Sequence, residues 1–414
     1  MSKLFSLRSG FVKNVTTLVT GTAISQAINF LSTPLLTRIY TPEEFAVFQI
    51  FYSTASIIAV IATLRYELAI VAPSSEEEAI DLVSVSFYLS FLIAFISLCV
   101  AAIAHFFMGE VFNIWYYLIP VYVVFAGLMQ SLNLLSIRRK TYKRNMTSRI
   151  GTALSTAIVG IVTGFFGLRP AGLILGSVSG QLMGFLLLMK EIPAIVWRPF
   201  HRKHQLLQIA AQHSNYPKFN APHALVDTIQ DQGLVYLLNF YFSASIVSFY
   251  GQAFRILKAP IGFIGSAIYQ VVLPQFTEMS RSGIDLRSPI LKIYIRMFII
   301  GLPAFGFLFF YAEPIFGWFF GENWTKAGTI AGYMAPWLFL NFMASPVSCI
   351  TLIRNKQRKA FMITLTEISL RFIAVGYGGF MGSSDAAFML LSLAGSAVML
   401  YALIWYYRMG APDS

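Results

Sequence analysis

The sequence predicts an all-α integral membrane protein of about twelve transmembrane helices, arranged as two six-helix bundles around a central cavity. Three observations carry this expectation. The 414 residues are 57% hydrophobic and only 12% charged, against about 25% charged in soluble domains, and the mean hydropathy is +0.68. Apolar runs of about 20 residues, the length that crosses a bilayer as a helix, recur along the whole chain. The connections between these runs alternate between strongly basic and nearly free of Lys and Arg. A transmembrane barrel would instead show short alternating strands.

The runs place spans at about 15–36, 43–71, 80–107, 114–137, 147–167, 170–190, 216–242, 245–274, 289–311, 327–350, 359–380 and 385–408. Residues 1–14 mix Lys3, Arg8 and Lys13 with Leu4, Phe5, Leu7 and Phe11 and lack a small-residue cleavage site. They read as an interfacial N-terminal segment, not a signal peptide. Arg138, Arg139, Lys140, Lys143, Arg144 and Arg149 separate spans four and five. Lys190, Arg198, Arg202 and Lys203 follow span six. Arg281, Arg287, Lys292 and Arg296 surround the start of span nine, and Arg354, Lys356, Arg358 and Lys359 follow span ten. The alternate connections hold only Arg38, Arg169 and Lys326. The positive-inside rule then puts both termini in the cytoplasm.

The longest break, 191–214, divides the spans six and six. The expected organisation is therefore an N-terminal bundle 15–190, a cytoplasmic linker 191–214 and a C-terminal bundle 215–414. An even number of spans per half makes the halves parallel repeats, with a cavity between them as the natural path. The matching letters are few: TPEEFAVF at 41–48 and SASIVSFY at 243–250 fall at the same place in each half. Trp115, Tyr116, Trp197, Trp324, Trp405 and Tyr406 lie near span ends and read as interface belts. The two cysteines, Cys99 and Cys349, read as core.

Several function classes drop out. The net charge of +12 and pI near 9.6 would suggest nucleic acid in a soluble protein. Here the basic cytoplasmic loops account for the excess, so no nucleic-acid partner is expected. The two cysteines and five histidines show no metal spacing. There is no phosphate-binding GxxxxGK[ST] loop and no dinucleotide fingerprint, so no cofactor is expected. Transport driven by ATP hydrolysis within this chain is not expected, and the surroundings are membrane lipids.

Five basic residues, Arg65, Lys218, Arg255, Lys258 and Arg371, lie inside spans, where a central charge costs about 2.5–3.5 kcal/mol on insertion scales. Two acids, Asp227 and Asp231, join them. Asn215 to Asp227 rises about 18 Å as a helix, and Ser245 to Arg255 about 15 Å, in antiparallel directions. Asp227, Asp231 and Arg255 are thus expected near one midplane level, with Lys258 one turn further toward the cytoplasm. The aspartates are spaced i, i+4, where like charges repel, so Arg255, Lys258, a bound cation or a shared proton must offset them. Arg255 is the best anion ligand; Asp227 or Asp231 suits a coupled ion, because burial raises a carboxylate pKa. The competing reading is a buried salt-bridge network that fixes the packing of spans seven and eight. Arg65 with Glu67 reads as an edge anchor, and Glu367 with Arg371 as an i, i+4 pair or, alternatively, Arg371 as a cavity-lining cation. Pro217 and Pro222, beside Lys218, suggest a broken entry to span seven.

Two segments go beyond composition. LSTPLLTRIYTPEEFAVFQIF with LRYELAIVAP (31–51 and 64–73), and NYPKFNAPHALVDTIQDQ with FYGQAFRILKAPIGFIGSAIYQVVLPQFTE (215–232 and 249–278), resemble bacterial polysaccharide-biosynthesis membrane proteins. These are the lipid-linked oligosaccharide (O-antigen type) flippases of the multidrug and oligosaccharide-lipid exporter superfamily. The resemblance implies a translocase of the bacterial inner membrane serving surface polysaccharides such as lipopolysaccharide. It carries a polyprenyl-diphosphate-linked oligosaccharide outward by alternating access, and works beside a polysaccharide polymerase and chain-length proteins. The basic in-span residues would meet the diphosphate and the glycan; Arg65 and Arg255 lie within the matching motifs. A drug or cation exporter of the same superfamily shares the architecture, but cationic cargo would prefer acids. A membrane-embedded glycosyltransferase or polymerase would want large external loops, and these are short. A scaffold protein would not need buried charges.

Overall fold

The computed structural model describes residues 2–192 and 203–411, and every regular element in them is helical. The helices are α1 Ser2–Ile39, α2 Pro42–Ala59, α3 Glu76–Met108, α4 Ile119–Arg138, α5 Tyr142–Phe165, α6 Ala171–Leu188, α7 Lys203–Gln212 and α8 Ala221–Gln232. They continue as α9 Leu234–Tyr241, α10 Ala244–Arg281, α11 Arg287–Phe320, α12 Thr325–Ala344, α13 Ile350–Ile353, α14 Gln357–Phe380 and α15 Ser384–Met409. Among the described residues, eight helical segments are long and apolar enough to cross a membrane: those carrying α3, α4, α5, α6, α10, α11, α14 and α15. The other four expected spans correspond to α1, α2, the interrupted α8–α9 stretch and α12.

The chain packs as two units, one of Met1–Tyr40 and Val47–Gly233, the other of Thr41–Ala46 and Leu234–Ser414. In the first, α5 packs on α1 and α6, and α4 on α3 and α6. A stripe of small residues makes the α5–α6 contact close. Gly176 and Gly180 of α6 face the backbone of Thr156 and Thr152 so nearly that a Cβ would collide, the small-xxx-small device of membrane helix pairs. Tyr40, at the end of α1, is buried and its hydroxyl donates to the Gly160 carbonyl of α5 at 2.7 Å.

Three expectations about this unit are corrected. The N-terminal segment is not separate: α1 runs unbroken from Ser2. Span two does not continue to residue 71. α2 ends at Ala59, a turn follows, and Leu64 and Arg65 adopt left-handed backbone (φ 47° and 65°), which a right-handed helix of L-residues cannot absorb, so no single helix runs on to residue 71. A 3₁₀ turn, Tyr66–Val71, follows, with Tyr66, Ala69 and Ile70 in one core with Leu82, Leu128 and Leu132. Nor is 191–214 only a linker. Residues 193–202 lie outside those described, but α7 is docked: Leu206 and Ile209, one turn apart, enter that same core. Gln205 donates to the buried Asp81 at 3.0 Å, and the Tyr66 hydroxyl donates to the Ala210 carbonyl at 2.9 Å.

The basic residues around the turn between α4 and α5 hold this unit together. Arg139 bridges Glu76 (2.7 Å) and Glu191 (3.4 Å), and Arg144 meets Glu191 at 2.7 Å. Arg138 donates to the carbonyls of Ile70, Pro73 and Ser75.

In the second unit α12 is central, packed by α10, α11 and α15. Thr41 and Glu44 form a capping box at the start of α2: the Thr41 N–H donates to the Glu44 carboxylate (2.8 Å) and the Glu44 N–H to the Thr41 hydroxyl (3.3 Å). The Ser245 hydroxyl donates to the neighbouring Glu43 carboxylate. Thr41→Ala is expected to lower stability by about 1 kcal/mol, read as a drop in melting temperature of the detergent-purified protein.

Three residue readings change here and in the first unit. Trp324 is no interface-belt residue. It is fully buried, with Phe45 edge-on at 4.9 Å and Phe249 at 5.8 Å. Trp405 is also buried, under the Lys359 ammonium at 5.0 Å. Cys99 is exposed, whereas Cys349 is in the core. Trp197 lies outside the described residues.

Candidate functional site

The first unit carries Arg65, Lys218, Asp227 and Asp231, and the second Arg255, Lys258 and Arg371. The division at 191–214 put Lys218 and both aspartates in the C-terminal half; by packing, α8 groups with the first unit, and the chain changes unit at Gly233.

Local sequence explains how α8 presents its residues. Tyr216–Asn220 forms a π-helical turn; Pro217, its second residue, and Pro222, the second residue of α8, each lack a backbone donor. Such turns mark helices under local strain, often at functional positions. Lys218 sits on this turn, exposed. On α8 itself Asp227 is half-exposed and pairs with His223 one turn earlier, Nδ1 to Oδ2 3.2 Å. Asp231, one turn later, is partly buried. Next to it the Gln232 carboxamide oxygen accepts from the Ser53 hydroxyl at 2.9 Å. Arg65 occupies the left-handed turn after α2 and meets the buried Glu67 carboxylate at 3.3 Å, which also accepts from the Thr63 hydroxyl.

In the second unit an aromatic stack joins two of the three cations. The Lys258 ammonium lies 5.0 Å above the Phe254 ring. Phe254 is nearly parallel to Trp337 (10°, centroids 6.2 Å apart), and the Arg371 guanidinium lies 4.2 Å above Trp337. The Trp337 N–H donates to the Glu367 carboxylate at 2.9 Å. Arg371 is 1% exposed, and its Nε and Nη2 have no hydrogen-bond partner among the described residues. The i, i+4 reading of Glu367 and Arg371 as a self-satisfied pair therefore does not hold. The indole serves both members, the acid through its N–H and the base through its face. Arg255 is exposed on α10, three residues before Lys258.

Unused guanidinium N–H groups in a dry setting attract an anion strongly. The aromatic faces hold the cations in place without neutralising them, as a carboxylate would. Sequence reasoning named the charges but missed Phe254 and Trp337. Phe254, one turn before Lys258, was findable as an i, i+4 neighbour. Trp337 lies on another helix, and nothing in the spacing points to it.

A family described as polysaccharide biosynthesis protein matches residues 35–329. No curated protein matches the chain. Among solved structures, the lipid II flippase MurJ in its inward closed conformation superposes with TM-score 0.68 at 15% identity, over 94% of this chain and 87% of that one. An inward-facing multidrug resistance MATE family transporter of the MOP superfamily gives TM-score 0.67 at 14% identity, over 94% of both chains. A MOP superfamily transporter from Pyrococcus furiosus, described as having a binding pocket of reverse polarity, gives 0.61 at 12% identity, over 96% of this chain and 95% of that one. At these identities the likeness is one of fold: a multi-pass helical membrane protein with the architecture of that superfamily.

Proposed function

Because the chain belongs to the polysaccharide biosynthesis protein family, we infer that it is a flippase for a polyprenyl-diphosphate-linked oligosaccharide. It moves this cargo from the cytoplasmic to the outer face of the bacterial inner membrane by alternating access, both termini being cytoplasmic. The observation that carries the reading is the Lys258–Phe254–Trp337–Arg371 stack, whose arginine is buried with N–H groups unused. Fixed cations of this kind suit a diphosphate and repel a cationic drug. Arg65, Lys218 and Arg255 supply further positive charge along the path, and Asp227 or Asp231 couples transport to a proton or sodium gradient. The product would pass to a polysaccharide polymerase and its chain-length partner.

The test is deletion of the gene with complementation. Lipid-linked repeat units should accumulate on the cytoplasmic leaflet and disappear on complementation. A normal surface glycan with raised drug sensitivity would instead establish the second reading, a cation-coupled drug exporter, which the MATE-like fold favours. Arg255→Ala is expected to cut complementation at least tenfold while the protein still inserts at normal abundance; full activity would return Arg255 to a packing role.

A further inference from the structure

A second polar feature lies wholly within the first unit and contains no charged residue. A cleft of about 270 Å³ is lined by Ser56, Tyr122, Gln130, Gln181 and Thr228, with Ala59, Val60, Ala126 and Met129 as its apolar wall. Its elements are α2, α4, α6 and α8. The Gln130 amide donates to the Ala59 carbonyl at 3.3 Å, and the Gln181 amide to the Tyr122 hydroxyl at 3.2 Å. The Ala59 carbonyl can only accept, which fixes the nitrogen end of Gln130; the Tyr122 hydroxyl can donate or accept and so meets either end of Gln181. The other end of each, Oε1, is buried without a hydrogen-bond partner among the described residues. Tyr122 is backed edge-on by Phe51 and Tyr52, at 6.1 and 6.4 Å, so its ring is held rigidly.

A pair of carboxamides, each with one buried end unbonded, is unusual in a membrane-embedded fold, since buried polar atoms are normally bonded; at Gln130 the unbonded end is an acceptor. That end asks for a ligand that donates. The cleft offers no cation for a phosphate and no carboxylate for a positively charged drug. Its volume lies just below the ~300 Å³ lower end of drug-sized pockets, which suits one sugar ring and not a whole oligosaccharide. Hydroxyl and acetamido N–H groups are the donors a sugar brings, and the terminal torsion of glutamine is soft enough to turn its oxygen to them.

We propose that this cleft is a neutral sugar subsite, in which Gln130 and Gln181 accept hydrogen bonds from the hydroxyl or acetamido groups of one ring, against the Tyr122 side chain. The proposal rests on the flippase reading and divides the cargo. The uncharged glycan is read in the first unit by carboxamides, and the anionic diphosphate is held elsewhere by arginine and lysine. Thr228 ties the subsite to the proposed coupling helix, since it follows Asp227 directly on α8.

The experiment uses the full-length protein in lipid nanodiscs and saturation-transfer NMR with a panel of free neutral sugars: glucose, galactose, rhamnose, N-acetylglucosamine and N-acetylgalactosamine. At least one should receive saturation from the wild type, with the signal falling at least fivefold in Gln130→Met and in Gln181→Met. Gln181→Glu, which keeps an acceptor, should retain part of it. Size-exclusion profiles and melting temperatures identify any variant that fails to fold, and Thr228→Val then serves as the replacement. Saturation that no variant alters, or none from any sugar, overturns the subsite. So does a sodium-dependent rise in melting temperature that both Met variants abolish, because the acceptors would then be cation ligands. The two readings fail separately. Full complementation by Gln130→Met and Gln181→Met in a strain that otherwise accumulates lipid-linked glycan sinks the subsite and leaves the flippase standing. Absence of that accumulation sinks the flippase itself.

Discussion

Arg371→Met should abolish transport while leaving the protein folded and at least as stable as the wild type. Arg371 is among the largest fully buried side chains of the molecule, and two of its N–H-bearing nitrogens bond to nothing in the described residues. An arrangement of that kind is unfavourable for folding alone. Replacing a buried charge by an apolar side chain of similar volume is often neutral or stabilising, and methionine adapts well to irregular space against an indole. The function side runs the other way. Two charge-assisted hydrogen bonds to an anionic cargo are worth about 1.5–3 kcal/mol each, so their loss corresponds to roughly 10²- to 10⁴-fold in rate. Arg371→Lys should recover little, because an ammonium has neither the planar fork nor the face-on fit to Trp337. The pair of measurements is complementation of the deletion strain and the melting temperature in detergent. Normal complementation by Arg371→Met would show that the guanidinium only packs; a collapse in melting temperature would show that it holds the fold.

The second large effect is structural. Trp324→Ala is expected to destabilise the second unit by about 3–5 kcal/mol, the usual loss for a buried tryptophan. Its ring is fully buried between Phe45 and Phe249, both edge-on. Trp324→Phe, which keeps one edge-on ring, should lose roughly half as much. Denaturation of the purified protein in detergent distinguishes this from an interface-belt role, in which either substitution would cost little.

Trp324 also shows where sequence reading stops. Its position near a span end is the signature of a membrane-interface aromatic, and only the packing of Phe45 and Phe249 around it says otherwise. The long spans were legible because hydrophobic length is a property of each segment by itself. The end of α2 was not, since the left-handed backbone at Leu64 and Arg65 follows from how Tyr66, Ala69 and Ile70 dock on α3 and α4. The docking of α7 left a trace, Leu206 and Ile209 at i, i+3, but ten residues are too few to stand out beside apolar runs of twenty. The candidate site divides in the same way. The in-span charges declare themselves by their insertion cost, and Pro217 and Pro222 announce the broken helix. The partners of those charges do not, because Trp337 reaches Arg371 from another helix. Gln130 and Gln181 give no such signal, because a carboxamide carries no charge.

The short stretch Thr41–Ala46 belongs to the second unit although α1 before it and the rest of α2 after it belong to the first. Its bonding partner Ser245 is 202 positions later in the chain. At a synthesis rate of about 5–20 residues per second, the ribosome delivers that partner roughly 10–40 s after Glu43 has emerged. The capping box, complete within four residues, can form meanwhile; the burial of Phe45 against Trp324 must wait longer still. Biogenesis of this protein therefore passes through a stage in which this turn is locally finished while its long-range partners have yet to be made.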